Sequence, residues 1–209
     1  MILSKIQQFS RDDVKVLAKE PLFKGFFSLF KYRFQHRLHE GGWSKDIERE
    51  VFIRGHAVAV LPYDPATGEF ILIEQFRVGA IEDSEQPWLL EVVAGIIEEG
   101  ESEEEVCRRE AKEEAGIEVT ELFPVMEYFP SPGGCTETLS LYFAFADASN
   151  AGGVHGLDEE GEDILVHRVA EDTAMQWLKE GRFINSATII ALQWFALNKE
   201  QILADYNKK

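Results

Sequence analysis

The chain has 209 residues, 45% of them hydrophobic, which is enough for one sizeable core and a small second domain. Its 38 Asp and Glu residues outnumber 21 Lys and Arg residues, and the net charge of −17 argues against nucleic-acid or anionic-membrane binding. Two cysteines, Cys107 and Cys135, are too few for a disulfide framework or a four-ligand zinc site. The N-terminus lacks a basic segment followed by a long apolar run, which predicts a cytoplasmic protein.

The first fifty residues predict a small β-sheet. Residues 13–20 and 30–34 alternate between apolar and polar side chains, which is typical of strands with one buried face. Gly41 and Gly42 predict a turn before the next extended segment. Because two or three strands alone are marginally stable in water, we expect this sheet to pack on the main domain or on another subunit.

The remaining residues predict a mixed α/β domain. Predicted strands cover residues 56–61, 70–76, 89–94, 122–129, 138–146 and 164–169. Predicted helices cover residues 102–115, 171–180 and 186–198. Ser102 and Glu105 form a capping-box signature at the start of the first helix, and Gly116 is placed to end it.

The predicted helix at residues 102–115 places two carboxylates on its apolar face. At 100° per residue, Cys107 and Ala111 define that face, and Glu110 and Glu114 project into it one turn apart. A solvated surface with i,i+4 ion pairs explains acidic residues in the first turn, where the helix dipole favours them. It does not explain two like charges on an inward face, which a hard divalent cation would neutralise. On spacing alone, both interpretations stay open.

The segment that contains this helix resembles the Nudix box. Its fixed positions are Gly95, Glu101, Arg109, Glu110, Ala111, Glu113, Glu114, Gly116 and Ile117. The departure is Ala111, where the family often has a bulkier aliphatic residue, and this changes packing but no ligand. Over the whole length, the chain resembles the bacterial ADP-ribose pyrophosphatases of the Nudix superfamily.

The resemblance implies a fold and an activity. The expected architecture is an α+β Nudix fold, a mixed β-sheet sandwiched by helices, with an antiparallel N-terminal β-domain. The β-domain would span residues 1–50 and the hydrolase domain residues 51–209. It also implies a homodimer in which the N-terminal domain is swapped and helps to build the partner's site. The expected reaction is metal-dependent hydrolysis of ADP-ribose by water to AMP and ribose 5-phosphate. Mg²⁺ is the expected cofactor, with more than one ion and with Mn²⁺ as an alternative.

The resemblance also assigns roles to residues. The expected metal ligands are the backbone carbonyl of Ala94 and the carboxylates of Glu110, Glu114 and Glu162. Residues expected to brace the box are Gly95, Glu101, Arg109 and Gly116. The expected general base is Glu160, in an acidic loop at residues 155–163 whose other interpretation is a plain solvated loop, and Glu113 is the alternative base.

Substrate contacts are expected at eleven positions: Phe26, Phe27, Arg49, Glu50, Arg54, Arg77, Ile96, Ser131, Pro132, Gly133 and Glu137. Pro132 lies fifteen residues after Ile117, the distance that marks enzymes acting on ADP-ribose and similar nucleotide sugars in this family. Its alternative interpretation is an ordinary Pro-Gly turn. Phe26 and Phe27 match positions that stack on adenine across the dimer, although a structural role in the sheet is nearly as well supported.

Two other functions stay open at this stage. The same chemistry on GDP-mannose or another nucleotide sugar would need only different contacts to the base. A Nudix-like nucleotide-binding module without turnover belongs to another class, and loss of box carboxylates would indicate it. Every box carboxylate is present in this sequence.

Overall fold

The computed structural model describes residues 6, 8–206 and 208. The chain divides into two compact units. The first consists of Met1–Gly55 together with Ser131–Glu137, and the second of His56–Pro130 together with Thr138–Lys209. The return of residues 131–137 to the first unit is a long-range feature that the sequence did not indicate.

The first unit contains a three-stranded antiparallel sheet in the order β1-β2-β3. The strands are β1 (Val14–Lys24), β2 (Ser28–His36) and β3 (Ile47–Ile53). Residues 131–137 join the sheet where the Phe52 N–H donates to the Gly134 carbonyl and Phe52 accepts from Thr136 N–H. The strands were predicted, but none of their residues is buried in this chain. The described residues of this unit supply no second layer, so the expected cover of this sheet by another subunit stays a prediction.

The second unit contains an eight-stranded mixed sheet. Six strands form the path β10-β11-β5-β4-β9-β8, with β6 paired to β5 and β7 paired to β4. Its strands are β4 (Ala57–Asp64), β5 (Glu69–Phe76), β6 (Trp88–Glu91), β7 (Val93–Ile96), β8 (Val119–Tyr128), β9 (Leu139–Ala146), β10 (Gly153–His155) and β11 (Ile164–Ala170). The pairing of β4 with β9 is parallel and the others are antiparallel, which makes the sheet mixed.

Helices cover both faces of this sheet. They are α1 (Glu103–Ala115), α2 (Glu171–Lys179) and α3 (Ser186–Tyr206). Every residue of β4 is buried, and alternate side chains enter opposite layers. Val58 and Val60 pack in a cluster with α1, whereas Ala59 and Leu61 pack in a cluster with α2 and α3. The predicted α+β class, with a mixed sheet between helices and a small N-terminal antiparallel sheet, is confirmed.

Some predicted element boundaries were wrong. The apolar run at residues 89–94 is two strands, β6 and β7, which pair with different neighbours. Helix α3 continues to Tyr206 rather than ending at residue 198, and Tyr206 packs its ring 4.4 Å from the ring of Phe145. Both differences come from tertiary pairing, which local periodicity does not encode. No helix within residues 6, 8–206 and 208 is long and apolar enough to cross a membrane.

Candidate active site

Helix α1 has the ends that its sequence predicts. The Ser102 side chain accepts from the Glu105 N–H, and the Glu105 carboxylate accepts from the Ser102 N–H over 2.9 Å. Gly116 ends the helix in a left-handed conformation at φ 65°, which favours glycine. The two caps fix the length of the helix and therefore the direction in which each of its carboxylates points.

The inward face of α1 carries the two predicted carboxylates. Ala111 and Ala115 are fully buried beside them, and Glu114 is only 3% exposed. Glu110 lies against the backbone of Gly95, where an added Cβ would stand 1.9 Å from Glu110 Oε1. Small residues thus let the helix approach β7 closely enough to bury both acids.

Glu114 is held between two strands. Its Oε2 accepts from the Ala94 N–H over 2.9 Å, and Gln75 Nε2 lies 3.4 Å from its Oε1. The pKa of Glu114 is raised to about 8, chiefly by burial and in smaller part by the charge of Glu110. The predicted contribution of Ala94 is its carbonyl, and that assignment stays a prediction.

Arg109 connects three box glutamates. Its Nε and Nη2 donate to Glu101 over 2.9 and 3.1 Å, and its Nη1 donates to Glu110 and Glu113 over 2.8 and 3.0 Å. Burial raises the pKa of Glu110 to about 7 even though Arg109 opposes that shift. The 100° step places Arg109 on the outer side of α1, but its long side chain reaches around the helix to Glu110.

The acidic loop packs on the end of α1. The His155 ring fills the space beside Gly116, where an added Cβ would stand 2.3 Å from His155 Cε1, and the Gly156 N–H donates to the Glu113 carbonyl. Glu162 accepts from the Leu157 N–H over 3.0 Å. The charge of Glu162 raises the pKa of both inward acids of α1. Glu160 lies exposed in a short 3-10 turn, Asp158–Glu160.

The three clustered carboxylates fit a divalent cation chemically. The charge of Glu110 raises the pKa of Glu114, and the charge of Glu162 raises the pKa of both, which is the repulsion that a divalent cation would neutralise. Within the described part of the chain, no group of three or more acidic, His or Cys side chains is already arranged around one point. Arg109, Ala94 and Leu157 each donate a hydrogen bond to one of the three acids, and every carboxylate keeps lone pairs that a cation could use.

Arg77 and Ile96 are the predicted substrate contacts in the second unit. Ile96 ends β7 and pairs with Ala57. Arg77 follows β5 and donates its Nε and Nη2 to Glu91 over 2.9 and 2.7 Å. Glu91 is only 2% exposed. The sequence did not identify it as a site residue, because its contacts depend on how separate elements of the fold pack together.

The first unit brings another group of predicted contacts together. Arg54 lies 5.4 Å from the Phe27 ring and forms an ion pair with Glu137 at 3.1 Å. Phe26 is 90% exposed and packs edge-on against Phe27 at 4.7 Å. The remaining candidates in this unit are exposed on β3 or on the turn at residues 131–134: Arg49, Glu50, Ser131, Pro132 and Gly133.

The fold and the inward carboxylates define a protein with a site suited to divalent-cation chemistry. A family model described as the NUDIX domain matches residues 53–205. The chain is 51% identical over 194 residues to an ADP-ribose pyrophosphatase of Escherichia coli (strain K12), covering 93% of each. It is 43% identical over 209 residues to an ADP-ribose pyrophosphatase of Haemophilus influenzae, covering 99% of this chain and 96% of the relative. The chain therefore belongs to the Nudix family, as its box predicted.

Two further comparisons are more distant. A GDP-mannose pyrophosphatase of Pectobacterium atrosepticum is 35% identical over 193 residues, covering 88% of this chain and 97% of the relative. A solved structure of an ADP compounds hydrolase superposes with a TM-score of 0.69 at 22% identity, covering 92% of this chain and 98% of that chain. At that identity the structural likeness supports the fold alone.

Proposed function

We propose that this chain hydrolyses ADP-ribose at its diphosphate, giving AMP and ribose 5-phosphate. The observation that carries the proposal is the pair of acids, Glu110 and Glu114, on the inward face of α1, where burial disfavours their charged forms and a bound cation would favour them. Similarity over nearly the whole chain to two ADP-ribose pyrophosphatases supports the choice of substrate. The lower identity to a GDP-mannose pyrophosphatase makes GDP-mannose the second candidate.

The metal site would use residues from three elements. Glu110 and Glu114 of α1, Glu162 of the acidic loop and the Ala94 carbonyl of β7 would hold Mg²⁺, with more than one ion during turnover and Mn²⁺ as a substitute. When bound, the metal would neutralise the charge that develops on the diphosphate oxygens. Arg109, which already holds Glu101 and Glu110, would keep the box in place.

Glu160 is the proposed general base. Its exposed position on a short turn next to Gly161 allows it to approach the substrate from the loop. It would take a proton from the attacking water while the carboxylates of α1 stay engaged as ligands. Glu113, whose side chain is already paired with Arg109, is the alternative base.

We also propose that the protein is a cytoplasmic homodimer. The first unit exposes apolar side chains on β1 and on the turn that follows it, including Val16, Leu22, Phe23 and Phe26. Such a sheet needs a partner surface, and a second copy supplies one. The domain limits proposed for this arrangement are residues 1–50 and 51–209. The free cysteines, Cys107 and Cys135, agree with a reducing compartment.

The reaction is tested by identifying its products. Purified protein is incubated with ADP-ribose and Mg²⁺, and nucleotides and sugar phosphates are separated by chromatography. AMP and ribose 5-phosphate in equal amounts are expected, and Glu114→Gln should abolish both. ADP with free ribose would place the cleavage at another bond and contradict the proposal. Binding without any product would favour a non-catalytic module.

A further inference from the structure

The buried carboxylate of Glu91, next to the proposed site, is surrounded by hydrogen-bond donors. Glu91, at the end of β6, receives two hydrogen bonds on Oε2 from Arg77 and one on Oε1 from Asn185 Nδ2 over 2.8 Å. Gln75 Nε2 lies 3.5 Å from the same Oε2 and 3.4 Å from Glu114 Oε1. Gln75 therefore stands between Glu91 and a proposed metal ligand.

Asn185 is fixed in its own orientation. It precedes α3, and its Oδ1 accepts from the Thr188 N–H and hydroxyl over 3.1 and 3.3 Å, as a helix cap does. The Thr188 hydroxyl in turn accepts from the Val92 N–H over 3.0 Å. Since the amide oxygen is committed to the cap, the amide nitrogen must face Glu91. The start of α3 thus sets the position of the carboxylate.

Arg77 is the exposed end of this chain of contacts. Its side chain is 41% exposed, whereas Glu91 is 2% exposed. A guanidinium has five N–H donors, and two of them are used on Glu91, so three remain for another acceptor. The guanidinium shares Glu91 Oε2 with Gln75 Nε2, which lies 3.4 Å from Glu114 Oε1, so one side chain separates the guanidinium from a carboxylate of α1.

We infer that Glu91 is a positioning residue that holds the Arg77 guanidinium for the diphosphate of the substrate. It acts through Arg77 and touches neither substrate nor metal itself. The inference rests on the proposed function, because it takes a nucleoside diphosphate as the acceptor. A planar cation clamped on one edge presents its other edge in a fixed direction, which suits two neighbouring phosphates.

The first test exchanges donor and acceptor across one contact. In Glu91→Gln, the new amide nitrogen must face a donor, either Arg77 or Asn185, so one of these contacts is lost. This single variant should lower kcat/KM for ADP-ribose by about ten-fold or more. Asn185→Asp alone sets two carboxylates against each other and should also lower it. The double variant E91Q/N185D restores a donor–acceptor match and keeps the helix cap, so it should recover kcat/KM to within about three-fold of wild type.

The second test separates positioning from a purely structural role. In an Arg77→Ala background, Glu91→Gln should cause no further loss of kcat/KM, because the residue through which Glu91 acts is gone. An equal loss in both backgrounds would overturn the inference, as would a folded Glu91→Gln variant with wild-type kcat/KM. If Glu91→Gln does not fold, Glu91→Asp keeps the charge but withdraws it from Arg77. A folded Glu91→Asp variant with wild-type kcat/KM would overturn the inference equally.

A matched ion pair provides the control. Arg168 donates its Nε and Nη2 to Glu69 Oε2 with the same geometry, at the opposite end of β5. Glu69→Gln should leave kcat/KM unchanged. Wild-type turnover is measured first. If the protein cleaves GDP-mannose but not ADP-ribose, the proposed substrate is wrong, and the variants are then compared on GDP-mannose. A wild-type protein that cleaves neither fails the proposed function, and the role of Glu91 falls with it.

Discussion

Replacing Glu114 with glutamine removes a buried carboxylate whose ionisation lowers the free energy of unfolding of the metal-free protein. Burial raises the pKa of Glu114 from 4.5 to about 8. A folded-state pKa above the unfolded value means that the native state binds more protons, so stability falls as the pH rises from about 4.5 to about 8. At about 1.36 kcal/mol for each pH unit, the full penalty is on the order of 5 kcal/mol.

The assay is urea unfolding in EDTA at pH 6 and pH 8.5. Wild-type protein should lose more free energy of unfolding between these pH values than Glu114→Gln, by about 2 to 3 kcal/mol, since part of the penalty is already present at pH 6. Adding Mg²⁺ at pH 8.5 should stabilise the wild type and leave Glu114→Gln unchanged. Glu118→Gln, at an exposed acid just beyond α1, is the control and should follow the wild type. Parallel pH profiles for wild type and Glu114→Gln would refute the reasoning.

Three further changes test separate parts of the site. Gly95→Ala sets a Cβ 1.9 Å from Glu110 Oε1 and should raise the Mg²⁺ concentration for half-maximal activity by about ten-fold or more, whereas Gly79→Ala, with nothing within 4 Å, should not. Glu160→Gln should lower kcat by about 100-fold or more while the Kd for ADP-ribose, measured by calorimetry with EDTA, stays within about three-fold; near-normal kcat would move the base elsewhere. Ser102→Ala removes the helix cap and should lower the free energy of unfolding by about 1 kcal/mol, and an unchanged value would contradict the capping role.

Local sequence was sufficient to predict helix α1 and its two inward acids. Capping at Ser102 and Gly116 depends on residues within four positions, and the 100° step between residues places Glu110 and Glu114 on one face. Residues 56–61 were likewise predicted as a strand, and the complete burial of β4 follows from helices on both faces.

Contacts between distant residues could not be predicted in this way. Glu91 and Asn185 are separated by 94 positions, and neither belongs to a recognisable pattern. The division of residues 89–94 into two strands depends on which neighbour each half pairs with. The reach of Arg109 to Glu110 depends on side-chain length, which a helical projection of Cα positions omits.

The central claim is a metal-dependent hydrolysis that prefers ADP-ribose, and the most direct measurement compares two substrates. Initial rates of AMP release from ADP-ribose and GMP release from GDP-mannose are measured side by side, with Mg²⁺ and with EDTA. A higher kcat/KM for ADP-ribose, abolished by EDTA, is the predicted result. A preference for GDP-mannose, or turnover that EDTA does not affect, would contradict the account.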